Sequence, residues 1–524
     1  MNPLVIAATM ARRGMLAPNL PHRLVGQLTS LATWGMSLVG EVRQAALGAP
    51  QRIAVIDQAR GATTYAELFD RGMRAAVALR SQGVEPGHRI GLMARNHVGA
   101  VEVMVGASAL GVDLVLVNTG LAGEQLGLVL AQQEIDLLVH DEEFAAIVDV
   151  LVDGPKTLSE SAFAAAVDAL PVGTSVDRPE PAGRTIILTS GTTGVPKGAA
   201  RRTPKGVGAL VSMIDRIPLH VGDRILIAAP IFHTWGYAAL QLSFGMSATV
   251  ILRRRFDPRD VVEVLEGERV QAMFAVPVML QRMIEQLPAD PGGTVRRLSL
   301  RVVATSGSAY PSGFTTRFMD EYGDVLYNLY GSTEASWICI ATPSDLRRHP
   351  DTAGTPPLGT VVRLLDADGA EVPDGETGRI FCGNEMVFEG YTSGGSKEFI
   401  DGMVSTGDMG HRADGLYFID GRDDDMVISG GENVYPSEVE GLVVAHPAVR
   451  EVSVVGVPDP NFGQRLAAFI ALEPGAELSA DDVRDLVRSQ RARHCVPREV
   501  VFLDELPRNT TGKILTRELK ARFV

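Results

Sequence analysis

Residues 189–198 read TSGTTGVPKG: three glycines, four hydroxyls and one lysine directly behind the apolar run Ile186, Ile187, Leu188. Backbone N–H groups bared by glycine cradle phosphate oxygens, and hydroxyl and ammonium groups add donors. A Walker A loop needs glycine directly before its lysine and Ser or Thr directly after. Here Pro196 precedes Lys197 and Gly198 follows, so an anion site of another kind is expected. Lys197, Arg201, Arg202 and Lys205 crowd positive charge beside it, and we read that patch as part of the anion site.

Four further stretches carry groups that could do chemistry. Tyr330, Gly331, Ser332, Thr333 and Glu334 put one carboxylate after a turn. Such a carboxylate usually faces water, but Mg2+ takes one or two of them together with substrate phosphates. Ser405, Thr406, Gly407 and Asp408 offer an acceptor for a pair of sugar hydroxyls through charge-assisted bonds. Arg422 opens a run of three aspartates, 423–425, followed by Gly430, Gly431 and Glu432. Like charges in a row resist burial, which suits a linker or a hinge. Lys513 sits in LPRNTTGKIL, residues 506–515. An ammonium there can offset the repulsion between an attacking carboxylate and a phosphate. His233, amid Pro230, Ile231, Phe232 and Trp235, is the remaining polar ring in an apolar stretch.

Taken in order, these five motifs resemble the adenylate-forming superfamily of acyl-CoA synthetases, peptide-synthetase adenylation domains and beetle luciferases, from about residue 50 to 520. The resemblance implies an AMP-forming acid–thiol ligase using ATP, Mg2+ and coenzyme A. It assigns Thr189, Ser190, Gly191, Thr192, Thr193, Gly194 and Lys197 to the phosphate loop, and Gly307, Ser308 and Ala309 to an adenine-binding turn. Tyr330 and Gly331 would pack at the adenine, Thr333 would contact the α-phosphate, and Glu334 would bind the metal. Asp408 and Arg422 would hold the ribose, Asp424 would be the hinge, and Gly430, Gly431 and Glu432 would line the thiol's route. Lys513 becomes the catalytic lysine, and His233 an aromatic gate beside the acid pocket. The apolar gate, and no assignable aspartate for an amino group, point to a medium- or long-chain fatty acid. An aryl acid is the alternative, then an acyl-AMP ligase serving a carrier protein, then a nucleotide-binding pseudoenzyme.

These residues need a scaffold. Short β-branched runs (89–93, 136–140, 224–228, 300–304) alternate with helix-like stretches, which predicts α/β architecture with mostly parallel sheets. Turns at Asp368-Gly369, Asp374-Gly375 and Asp414-Gly415 predict a small antiparallel subdomain over about 354–420. We expect an N-terminal domain over 1–422 and a small mobile α+β catalytic domain over 423–524. The chain has 524 residues and net charge -14, which disfavours nucleic acid as a partner. Its three cysteines form no metal or disulfide pattern and fit a reducing cytoplasm. Residues 101–123 carry Glu102 and Asp113 and read as a buried helix feeding a strand, not a membrane span. The amphipathic stretch 24–42 is read as packing on the domain, with peripheral membrane contact the alternative. A homodimer is compatible with the resemblance.

Overall fold

A computed structural model describes residues 2–17, 20–121, 123–151, 154–180, 182–189, 197–201, 204, 206–286, 298–310, 313–422, 427–429, 432–434, 436–459, 463–491, 495–509 and 512–523. Ser190, Gly191, Thr192, Thr193, Gly194, Arg202, Lys205, Asp424, Gly430 and Gly431 therefore lie outside the described residues, as do the side chains of Thr189 and Glu432.

The body is built on two sheets. One has eight strands, in the order Ser336–Ala341, Leu326–Ser332, Val302–Ser306, Ala272–Ala275, Arg224–Ile227, Thr249–Leu252, Ile53–Asp57 and Gly61–Thr64. Its inner strands run parallel, and an antiparallel hairpin partner closes each edge. The second has six strands, Lys156–Ser159, Leu137–His140, Arg89–Met93, Asp113–Leu116, Thr185–Thr189 and Lys197–Arg201, parallel except for the last pair. The inner strands are continuous apolar runs because helices cover both faces, as the buried Ala272–Ala275 and Thr249–Leu252 show. One apolar core joins both sheets to the helix Val98–Leu110, which is buried nearly throughout. That helix feeds the strand Asp113–Leu116, as residues 101–123 predict. Among the described residues no helix is long and apolar enough to cross a membrane.

From Val361 to Arg422 the strands pair antiparallel in a five-stranded sheet with its own small core. The last sheet spans Val427 to Phe502, with helices Pro436–Val444 and Ala480–Gln490 packed on it. The predicted large α/β body and small C-terminal α+β unit are thus both present.

Helices α1 (Pro3–Arg12), α2 (Pro21–Trp34) and α3 (Leu38–Gly48) precede the first strand. The expectation that 24–42 packs on the domain holds for its second half: Met36, Leu38, Val39 and Val42 are core residues. It fails for Leu24, Val25 and Leu28, which face outward.

Candidate active site

Several of the described residues singled out by type lie where strands end. In open α/β sheets the carboxyl ends of parallel strands form the ligand crevice, because loops there are free to carry function. Strand Thr185–Thr189 leads into the Gly-rich residues 190–196, Val302–Ser306 into Gly307-Ser308-Ala309, and Leu326–Ser332 into Thr333-Glu334.

Both feet of the phosphate loop are anchored. Thr189 pairs with Lys197 and Leu188 with Gly198 in an antiparallel ladder. A segment of the antiparallel subdomain crosses that ladder: the Thr392 N–H donates to the Gly198 carbonyl at 2.8 Å, and Ala199 bridges Tyr391. The crossing explains the glycine after the lysine. A Cβ at 198 would sit 2.5 Å from both Gln133 Oε1 and Thr392 Oγ1.

Arg201 turns into the interior and donates to the carbonyls of Ser332 (3.3 Å) and Thr333 (3.1 Å from Nε). Burial pulls its pKa down to about 10, and Glu334 opposes that shift. Arg201 therefore braces the Thr333-Glu334 turn, while Arg202 and Lys205 of the basic patch lie outside the described residues. The Thr333 hydroxyl meets that of Thr234 at 3.2 Å. Gly331 is demanded by geometry: a Cβ there would lie 2.0 Å from the Ser336 carbonyl oxygen.

Glu334 has a partner that the sequence reading missed. The Tyr391 hydroxyl donates to Glu334 Oε1 at 2.7 Å, and the Lys197 ammonium lies 5.4 Å from the centre of the same ring. One tyrosine thus touches both the carboxylate and the phosphate-loop lysine. A hard oxygen donor beside a phosphate loop fits Mg2+, and an outer hydrogen bond orients such a ligand. Tyr391→Phe is expected to weaken Mn2+ binding in the presence of ATP about tenfold, read by the electron paramagnetic resonance signal of free Mn2+. Tyr391→Leu also removes the ring beneath Lys197, so it should raise KM for ATP beyond the Phe variant. Equal behaviour of the two variants would contradict this division of labour.

Asp408 forms the other half of the site. The Tyr330 hydroxyl donates to its Oδ2 at 2.6 Å, and Arg422, its cross-strand neighbour, brings Nε within 3.8 Å of Oδ1. The Thr406 hydroxyl accepts from the Asp408 N–H at 3.0 Å, and Lys397 caps the Thr406 carbonyl at 3.1 Å. Burial raises the Asp408 pKa; Tyr330, Arg422, Lys397 and Lys513 pull it back. The charge of Arg422 also reaches Tyr391, so both halves share one field.

Lys513 is exposed and belongs to the C-terminal unit. Its N–H donates to Asn509 Oδ1 at 2.9 Å, and Arg508, fixed to Glu451 at 2.8 Å, donates to the Gly512 carbonyl at 2.6 Å. This hairpin rests on the body: a Cβ on Gly512, which has φ +81°, would lie 2.2 Å from Val278 Cγ1.

His233 occupies the N-cap position of the helix Thr234–Gly245 without a side-chain capping bond, its ring tilted at 44° to that of Phe232 with centres 4.4 Å apart. Its Nε2 is buried without a partner among the described residues, and burial pushes its pKa down to about 4. The ring is neutral in the fold, so its stabilising share is present above the ordinary value of 6.5 and is lost as pH falls toward 4. A shift of that size corresponds to about 3 kcal/mol when complete. Urea unfolding of His233→Phe between pH 7.5 and 5 should fall less steeply with acid than that of the parent chain; parallel curves would contradict it.

The fold and the geometry agree with what the chain is similar to. Residues 42–392 match the AMP-binding enzyme family, and residues 438–513 match the AMP-binding enzyme C-terminal domain. The chain belongs to the AMP-binding enzymes. Feruloyl-CoA synthase from Amycolatopsis sp is 33% identical over 469 residues, covering 88% of this chain and 94% of its own. A 2-succinylbenzoate–CoA ligase from Geobacillus kaustophilus is 32% identical over 499 residues, covering 94% and 98%. The solved o-succinylbenzoate CoA synthetase of Bacillus subtilis, in complex with its acyl-adenylate intermediate, superimposes with TM-score 0.79 at 29% identity, over 92% of this chain and 97% of that one.

A second cluster in this AMP-binding enzyme invites a metal reading. His97, Asp141 and Glu160 converge within one small region. Arg254 pairs with both carboxylates, at 3.3 Å from Asp141 and in contact with Glu160, so the described geometry is that of a half-buried ion network.

Proposed function

We propose that the chain is an AMP-forming ligase that adenylates an aryl-bearing carboxylic acid with ATP and passes the acyl group to coenzyme A. The observation that carries the reading is the meeting, at one crevice, of Asp408 with Tyr330 and Arg422, of Glu334 with Lys197 through Tyr391, and of the Lys513 hairpin with Val278.

In the first half-reaction the acid's carboxylate attacks the α-phosphorus of ATP, and the bond to the bridging oxygen breaks as pyrophosphate leaves. Asp408 accepts the ribose hydroxyls, with Arg422 and Tyr330 fixing its orientation. Lys197 and the phosphate loop hold the departing phosphates. Lys513 offsets the repulsion between carboxylate and phosphate as they approach. Mg2+ at Glu334 would supply charge neutralisation to those phosphates. In the second half-reaction the thiolate attacks the acyl carbonyl and AMP departs. The C-terminal unit turns about Asp424, so that Gly430 and Gly431 replace Lys513 at the site.

The aryl reading draws on the relatives, which include a feruloyl-CoA synthase and a 2-succinylbenzoate–CoA ligase. The experiment is ATP–pyrophosphate exchange over ferulate, benzoate and phenylacetate against octanoate and palmitate, followed by thioester formation with coenzyme A. Exchange confined to the fatty acids overturns the aryl reading and leaves the ligase. Exchange with none of a broad panel overturns the ligase.

A further inference from the structure

The first forty residues contain Arg12, Arg13 and Arg23 and no aspartate or glutamate; all 63 acidic residues of a chain of net charge -14 come later. They also hold an unusual share of the apolar side chains left in water. Leu4 is 77% exposed, Val25 62%, Leu28 59% and Leu24 49%, with Val5, Leu16 and Leu20 beside them. The AMP-binding family match begins at residue 42, after this segment.

Each helix has one face committed to the protein. Helix α1 turns Thr9 inward, where its hydroxyl donates to Asp215 at 3.0 Å. Helix α2 buries Ser30 and packs on α3, where Gln27 donates to Gln44 at 3.1 Å. The opposite faces are apolar. Leu4, Ala8 and Ala11 on α1, and Leu20, Leu24 and Leu28 at four-residue spacing on α2, are exposed. Residues three and four apart share one side of a helix, so these are stripes and not scattered positions.

We propose that the outer faces of α1 and α2 dock on an anionic lipid surface. Aliphatic side chains without aromatic anchors suit a bilayer, which accepts them whatever their shape, better than a protein interface, whose core is enriched in aromatics. The charge is complementary. Arg12 is exposed although it pairs with Asp215, Arg13 and Arg23 bond to backbone carbonyls of Ile214 and Gly48, and no carboxylate from the segment opposes them. An acidic body keeps the rest of the molecule off the same surface, which orients the docking.

The test is flotation of the full chain with phosphatidylcholine vesicles, with and without phosphatidylglycerol, at low and high salt. The chain is expected to float with the anionic vesicles, more weakly with the neutral ones and at high salt. Leu24→Glu with Leu28→Glu should lower the partition coefficient about tenfold or more while leaving ATP–pyrophosphate exchange in buffer unchanged. If the charged variant loses exchange, Leu24→Ser with Leu28→Ser takes its place. No flotation, or flotation indifferent to these substitutions, overturns the proposal. A parent dimer that becomes monomeric in the variant, with no vesicle binding, assigns the face to a second copy instead.

Discussion

Lys513→Ala is expected to lower ATP–pyrophosphate exchange by about a hundred- to a thousandfold, the usual cost of removing one positioned charge stabiliser. Thioester formation from supplied acyl-adenylate should be largely spared. The split follows from where the lysine is carried. Its hairpin is held within the C-terminal unit by Arg508 and Asn509 and touches the body at Val278, with the Lys513 charge felt at Asp408. A group delivered by one orientation of a small domain serves only the step run in that orientation. Gly512→Ala offers an independent approach to the same contact. It adds a Cβ against Val278 and strains a left-handed backbone. Exchange should fall there too, and Val278→Ala should restore part of it by relieving the steric share. Equal loss of both half-reactions in Lys513→Ala would sink the assignment.

Asp408→Ala should raise KM for ATP about a hundredfold or more, since two charge-assisted bonds to sugar hydroxyls are worth roughly 1.5–3 kcal/mol each. Asp408→Asn separates charge from shape. Burial raises the Asp408 pKa above the ordinary carboxylate value against the pull of Tyr330, Arg422, Lys397 and Lys513, so folding is less favourable with the group ionised than with it protonated. By linkage this group contributes stability at low pH that is lost as pH rises through its folded value. Near neutrality the ionised carboxylate is therefore a cost that the fold bears for function. The Asn variant should melt at the same temperature as the parent or higher, yet bind ATP more weakly. ATP binding by the parent should weaken on acidification from above the ordinary carboxylate range, and the Asn variant should show no such limb. A variant that loses stability and keeps its ATP affinity would reverse the assignment.

How much of this was legible beforehand differs by residue. Tyr330, Asp408 and Arg422 lie in separate motifs, and they do meet; so do Lys197 and Glu334, through a tyrosine. Tyr391 escaped notice because a lone aromatic after a glycine has no local signature; its meaning comes from an isolated bridge to Ala199, far away in sequence. Arg201 shares a strand face with Lys197 by alternation, but only the fold shows that it donates to the Ser332 and Thr333 carbonyls. The stretch 24–42 read as one amphipathic unit and is two helices, α2 and α3, parted at Gly35, which has φ +60°.

Composition and periodicity by themselves determined the class of fold: apolar runs of strand length between helical stretches leave few ways to bury their faces other than parallel sheets under helices. Glycine, hydroxyl, carboxylate and lysine in ordered motifs likewise determined the kind of chemistry, because phosphate needs N–H and ammonium donors and sugar hydroxyls need an acceptor. Tertiary structure alone decided which donors face which acceptors. It placed Tyr391 between Glu334 and Lys197, turned Arg201 inward, set Gly512 on Val278 and left the outer faces of α1 and α2 in water. Those outcomes depend on contacts between residues tens to hundreds of positions apart, and no local pattern encodes a long-range contact.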